Sequence, residues 1–217
     1  MPPLDDVDIA QALLANLSVF WEGKKCVMEL KRVDYNWRQM EWWGFYFEHL
    51  CRNRLSPQFA IPGDQYGKVN TAQFDAKRTI NWDFKAKAIK SDDHRSILND
   101  TAAMDWSIKK YGSHGLIIAL CDVEYNDVDR SFQKWHTALK EGKSKYETER
   151  EQRTSVSRYR KTSATLQEIL FLVVNSRNVS LLGIHHQGRN SNGKPRPPKY
   201  MLDFDTAEKL IVSRLSF

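Results

Sequence analysis

Asp83 and Lys85 stand two residues apart in the stretch Thr79-Ile80-Asn81-Trp82-Asp83-Phe84-Lys85-Ala86-Lys87-Ala88. A carboxylate and an ammonium fixed side by side can hold a hard divalent cation, orient an attacking water and offset charge on a phosphate. The stretch alternates, with Ile80, Trp82, Phe84 and Ala86 on one face and Asn81, Asp83, Lys85 and Lys87 on the other. Period-two alternation predicts a strand with one buried face, and Asp83 and Lys85 then leave it on the same side. Such a site needs a second carboxylate. Asp75 reaches the same face if the chain turns back around residues 77–79; Asp64, in Ile61-Pro62-Gly63-Asp64, is its rival. An Asp and a Lys on an exposed strand also serve as plain solubilising charges, so the flanking elements decide between the two readings.

Residues 69–88 predict a hairpin carrying Asp75, Asp83 and Lys85. The segment before it, residues 35–55, is the most aromatic of the chain, and Met40, Trp43, Phe47, Leu50 and Cys51 share a helical stripe. Glu41, Gly44 and Glu48 recur along its neighbouring edge. Glu48 stands among bulky apolar residues, with Arg52 at i+4 as an ordinary ion-pair partner. Gly44 costs about 1 kcal/mol against Ala inside a helix, which predicts a close backbone neighbour. After the hairpin, Asn99 or Asp100 caps a helix that places Ala102, Ala103, Trp106 and Ile108 inward and stops at Gly112. Residues 115–121 form a continuous apolar run, as in a strand buried on both faces of a mixed sheet.

The outer parts read as follows. Residues 8–21 predict an amphipathic helix ended by Gly23, and residues 26–33 a short strand. Residues 126–162 form a charged, partly helical insertion projecting from the core. Residues 166–175, 179–185 and 200–204 predict strands. Asp205-Thr206-Ala207-Glu208 predicts a capping box that opens a final helix with Leu210, Ile211 and Leu215 inward.

Asp75 … Asp83-Phe84-Lys85 resembles the metal-dependent nuclease pattern PD-(D/E)XK, the active site of most type II restriction endonucleases; Phe74 stands where the pattern has Pro. The order of elements over residues 35–125 resembles that family too. The resemblance implies an α/β fold: a restriction-endonuclease-like core with a central mixed sheet flanked by helices, here with a basic helical insertion in a single domain of 217 residues. It implies Mg²⁺-dependent hydrolysis of phosphodiester bonds in double-stranded DNA, with Mn²⁺ substituting and Ca²⁺ supporting binding without cleavage. Asp75 and Asp83 would hold the metal, and Lys85 would serve the attacking water. In such enzymes the helix before the hairpin supplies a glutamate, and Trp43-Gly44-Phe45-Tyr46-Phe47-Glu48 resembles that helix, so Glu48 joins the metal site. A homodimer would match a palindromic target, and a monomer cutting each strand in turn is the alternative.

The charge distribution agrees with a polyanionic partner. The net charge is +6, of which residues 134–161 contribute +5 and residues 185–201 contribute +4, leaving the rest of the chain at −3. Concentrated positive charge releases counterions from nucleic acid. Lys87, Arg158, Arg160 and Lys161 are candidate phosphate contacts. The loop over residues 187–199 offers Gln187, Arg189, Asn190, Asn192, Lys194, Arg196 and Lys199, which include the side chains that bond guanine and adenine edges. A structure-specific repair or junction nuclease of the same fold, and a non-catalytic DNA-binding protein, are the competing expectations. His185 and His186 are adjacent and so point to opposite faces of a strand, which disfavours a shared metal. Cys26, Cys51 and Cys121 are widely separated and suggest neither a disulfide framework nor a zinc site. No apolar run approaches the roughly 18 residues of a membrane helix, and no signal peptide is visible, so a cytoplasmic location is expected.

Overall fold

The computed structural model describes residues 2–62, 74–89, 94–142, 148, 160–189 and 193–217. Asp64, Arg158, Asn190 and Asn192 lie outside the described residues. The chain opens with α1 (Pro2–Leu14), whose Val7, Ala10 and Leu14 form a buried stripe. A short strand, β1 (Phe20–Glu22), runs directly into α2 (Gly23–Arg32). The expectation of a strand at residues 26–33 is therefore corrected, as is that of Gly23 as a helix stop. Cys26, Val27 and Leu30 are buried at helical spacing, and the Glu22 carboxylate caps the helix by accepting from the Lys24 and Lys25 backbone N–H groups at 3.1 and 2.9 Å. The aromatic segment forms α3 (Trp42–Leu55), which buries Trp42, Trp43, Tyr46, Phe47, Cys51 and Leu55.

The centre of the chain supplies the sheet. β2 (Ala76–Lys77) and β3 (Asn81–Ala88) form the hairpin; β4 (Arg95–Asp100) and α4 (Thr101–Tyr111) follow, and then β5 (Ser113–Glu124). Gly112 ends α4 with φ +82°, the left-handed conformation a glycine adopts without strain. After α5 (Ser131–Leu139), β6 (Ser163–Asn175) is the longest strand. A 3₁₀ turn at Val179–Leu181 precedes β7 (Gly183–His185), so only the second half of the strand expected there forms. β8 (Lys199–Asp203) is followed by a 3₁₀ turn at Ala207–Lys209 and then β9 (Ile211–Ser216). The final helix expected from the capping box is thus replaced by a turn and a strand. Ile211, Ser213 and Leu215 alternate with exposed residues, and β9 pairs with the edge of β6, where a period of two fits and a helix does not.

The main sheet has six strands in the order β1-β6-β5-β3-β2, with β9 also on β6. β3 runs parallel to β5 with α4 in the connection, and β5 and β6 pair antiparallel over their length. The α/β class with a mixed sheet flanked by helices is therefore present. One face carries Trp82, Phe84, Ile117 and Phe171 and packs against residues of α1, α2 and α3. The other carries Leu116, Ile118, Leu170 and Leu172 and packs on α4 and on a second sheet, β4-β8-β7. Gly115 is required where it stands, because Trp82 lies across it: a Cβ there would come within 2.2 Å of the indole. The described part of the insertion does not project as expected. Phe132 and His136 of α5 are buried, Phe132 in the same core as Trp82. Among the described residues no helix is long and apolar enough to cross a membrane. The three cysteines are buried and free.

Candidate active site

The hairpin register decides which side chains meet. Ala76 pairs with Trp82 and Lys77 with Asn81. Just before this ladder the Asp75 N–H donates to the Trp82 carbonyl at 2.9 Å, which brings Asp75 alongside Trp82 and Asp83. The short spacing between the two acids is what a tight turn at residues 78–80 demands. β2 ends at Ala76, and on this edge the Phe84 N–H donates to Asp75 Oδ2 at 2.7 Å. Asp75 is thus held by the backbone between Asp83 and Lys85.

The turn itself is clamped by a residue the sequence reading passed over. Asp6 of α1 is fully buried and accepts from Arg78 Nη1 at 3.0 Å, from the Thr79 and Ile80 N–H groups at 3.0 and 3.4 Å, and from Trp82 Nε1 at 3.0 Å. Its signal was present: Asp6 is an acid on the stripe of Val7, Ala10 and Leu14.

The polar face of β3 is more enclosed than alternation predicts. Asn81 and Asp83 are 1% and 2% exposed, so the first half of the strand is buried on both faces. The cause is a buried polar chain under α4. Asn81 Nδ2 donates to Ser107 Oγ at 3.1 Å, Ser107 Oγ lies 3.1 Å from His114 Nδ1, and His114 Nε2 lies 2.7 Å from Asp83 Oδ2. The last contact is a close ion-type approach without the alignment of a hydrogen bond. Ser107, His114 and Asp83 touch in the order of a hydrolytic triad, and all three are buried, at 1%, 1% and 2% exposed. His114 is directly across from Asn81 in the β3–β5 register, at the head of an alternation that continues inward through Leu116 and Ile118; that phase was the available clue.

Lys85 and Glu48 are half-buried. Glu48 projects from α3 and accepts a hydrogen bond from Tyr35 Oη. Burial raises its pKa, and the Tyr35 hydrogen bond and the Lys85 and Arg52 charges only partly oppose this, while the Asp83 charge adds to it. Asp75 is pushed well above the usual carboxylate range, first by burial and then by the charges of Asp83 and Glu48, against the weaker pull of Lys85 and Phe84. Burial would raise Asp83 too, but the close polar contact and charge of His114, the Lys85 charge and an Asn99 hydrogen bond outweigh it, and its pKa is lowered. The four sequence-predicted groups therefore act on one another electrostatically. Burial first, and the neighbouring negative charges after it, favour the protonated form of Asp75 and Glu48. Among the described residues no group of three or more His, Cys, Asp and Glu side chains is placed to hold a metal ion. The donor set is the two aspartates, with Glu48 nearby. Carboxylate oxygens are the donor type that Mg²⁺ takes, commonly one or two of them completed by waters.

The remaining candidates scatter. Lys87 is half-buried and donates to the Arg95 carbonyl at 2.9 Å. Arg160 is 5% exposed, which gives its guanidinium to the interior. Lys161 pairs with Glu41 at 2.6 Å and stands over the Trp43 and Tyr125 rings. Glu41 is engaged there, with Trp43 Nε1 donating to it at 2.9 Å. In the loop between β7 and β8, Arg189, Lys194 and Arg196 are exposed and Gln187 and Lys199 half-buried. Gln187 donates to the Pro197 carbonyl at 3.2 Å, Arg189 to the Gly193 carbonyl at 3.1 Å, and Lys199 lies 3.4 Å from Asp100. His185 is half-buried and His186 exposed.

No protein-family model matches the chain, and no curated protein or solved structure matches it either.

Proposed function

We propose that this chain is a Mg²⁺-dependent, sequence-specific endonuclease that hydrolyses phosphodiester bonds of double-stranded DNA, on a restriction-endonuclease-like core. The observation that carries the reading is Asp75, whose Oδ2 accepts from the Phe84 N–H between Asp83 and Lys85, with Glu48 acting on the same charges. The order α3, β2–β3 hairpin, α4 and parallel β5 supports it.

Asp75 and Asp83 would hold Mg²⁺, with Glu48 bound directly or through water. When bound, the ion supplies charge neutralisation at the phosphate and lowers the pKa of a coordinated water. The chain does the rest. Lys85 orients the attacking water and offsets negative charge on the scissile phosphate. The water oxygen bonds to phosphorus, the bond from phosphorus to the leaving sugar oxygen breaks, and the water's proton ends on that oxygen by way of solvent. His114 and Asn99 fix the Asp83 carboxylate, and Asp6 holds the turn that sets Asp75 against it. The exposed Arg189 and Arg196 are placed for base edges, and Lys194 for phosphates, on a loop anchored to β8. A dimer on a palindromic site suits such an enzyme, in the cytoplasm beside its substrate.

Digestion of mixed-sequence DNA tests the reading. Discrete fragments are expected from the wild type with Mg²⁺. Asp83→Ala should bind DNA in Ca²⁺ and leave it uncut. Cutting confined to branched DNA would move the chain to the junction-specific class, and binding with no cutting of any DNA would leave a non-catalytic binder. Wild-type cutting rates in Asp83→Ala would overturn the metal assignment.

A further inference from the structure

The C-terminal turn of α4 meets β2 in a cluster that the nuclease reading does not use. Trp106 is 43% exposed, although the sequence places it on the inward side of its helix; Met104, Ser107 and Ile108 take that side instead. Its ring meets Tyr111 edge-on, with centroids 5.9 Å apart. Lys110 Nζ stands 4.7 Å from the Trp106 centroid and 5.3 Å from that of Tyr111. Lys77 Nζ stands 4.4 Å from the Tyr111 centroid and 3.2 Å from its hydroxyl. The Lys77 hydrogen bond and the two lysine charges lower the Tyr111 pKa. Lys109 adds another exposed cation, and the nearby Asp105 accepts from the Tyr200 hydroxyl at 2.8 Å.

We propose that Trp106, Tyr111, Lys77 and Lys110 form a platform on which a single-stranded stretch flanking the bound duplex lies beside the carboxylate site, an inference that rests on the nuclease reading of that site. An exposed indole offers a flat face to a base, and the ammonium groups around it match the phosphates on either side. A purely acidic protein partner would use the lysines and leave the indole idle. The location agrees. Lys77 pairs with Asn81, two residues before Asp83, and two residues of strand span about 7 Å. Lys77 thus ties the platform to the hairpin that carries Asp83.

Fluorescence anisotropy in EDTA, where no cleavage intervenes, tests the platform separately from the catalytic assignment. A blunt duplex is compared with the same duplex carrying a single-stranded tail of about ten nucleotides. The wild type should prefer the tailed duplex. Trp106→Ala should reduce that preference by about fivefold to a hundredfold, Trp106→Phe should retain most of it, and the Lys77→Gln/Lys110→Gln pair should lower both it and its salt dependence. Equal wild-type affinity for both duplexes, or a preference undiminished in Trp106→Ala, would overturn the proposal. Displacement of the tail by polyglutamate as readily as by oligothymidylate would overturn it in favour of an acidic peptide.

Discussion

Two carboxylates that meet the same hairpin, one from α1 and one from the hairpin itself, are treated in opposite ways. Asp6 at the turn receives donors from Arg78, Thr79, Ile80 and Trp82. At the open edge, a single described bond from the Phe84 N–H reaches Asp75, which faces the charges of Asp83 and Glu48. A buried carboxylate saturated with donors is at rest, because its charge and every lone pair are compensated. A carboxylate held against like charges stores unfavourable energy that a cation would relieve. The turn is built to hold its shape, and the edge is built with a deficit of positive charge.

Removing the saturated acid should have the largest effect on stability. Asp6→Ala leaves the Ile80 N–H and the Trp82 indole N–H buried without their acceptor, and removes the partner of the part-exposed Arg78. The expected loss is about 1–3 kcal/mol for each buried group, read from the urea midpoint at unchanged m-value. A loss below about 1 kcal/mol would mean that water replaces the carboxylate, and the contrast between turn and edge would fail.

Neutralising the strained acid should act with the opposite sign. Because Asp75 has a raised pKa, the folded protein holds its proton more tightly than the unfolded chain does. Its contribution therefore falls as pH rises from the ordinary aspartate range through the raised value, and it stays unfavourable above. Asp75→Asn should be more stable than wild type by about 1 kcal/mol above that window and should lose this part of the pH dependence. Asp83, whose pKa is lowered, contributes stability that is present above the ordinary aspartate range and lost as pH falls through its folded value. Mg²⁺ should raise the melting temperature of the wild type and do so far less for Asp75→Asn. Melting curves with and without Mg²⁺ at several pH values check both signs. An Asp75→Asn protein less stable than wild type at alkaline pH would show that the edge carries no charge deficit.

Local pattern made part of this legible. The alternation in β3, the continuous apolar run of β5 and the glycine stop of α4 mark where these elements lie, although β3 is buried on both faces over its first half and α4 turns Met104, Ser107 and Ile108 inward. That Asp75 lies close to Asp83 and Lys85 was readable, because a hairpin brings the residues before its turn alongside those after it. What tertiary pairing decides was not readable. β9 is a strand because the edge of β6 was free to receive it. Glu22 caps α2 although neither Gly23 nor Lys24 announces a helix. The His114 contact to Asp83 depends on β3 and β5 lying side by side in one register, and Asp6 reaches the hairpin only because α1 packs across it. Trp106 faces outward because Met104 and Ile108 already fill the space under α4.

The smallest expected effect concerns Gly44, one turn before Glu48 on α3. A glycine inside a helix was expected to admit a close neighbour, yet a Cβ at this position meets nothing within 4 Å. Packing in the folded protein therefore gives no reason for glycine there. Alanine would restrict the unfolded chain and fit the helical backbone, so Gly44→Ala should stabilise by about 0.5–1 kcal/mol, seen as a small upward shift of the urea midpoint. The position lies on the helix edge shared with Glu41 and Glu48, so cleavage by the same variant separates two uses of the space. Stabilisation with unchanged kcat/KM assigns Gly44 to neither the frame nor the site. Stabilisation with reduced kcat/KM places the substrate over this turn and extends the functional edge from β3 onto α3. A loss of stability would mean that the helix needs glycine after all, and the line drawn between a saturated turn and an open edge would have to move.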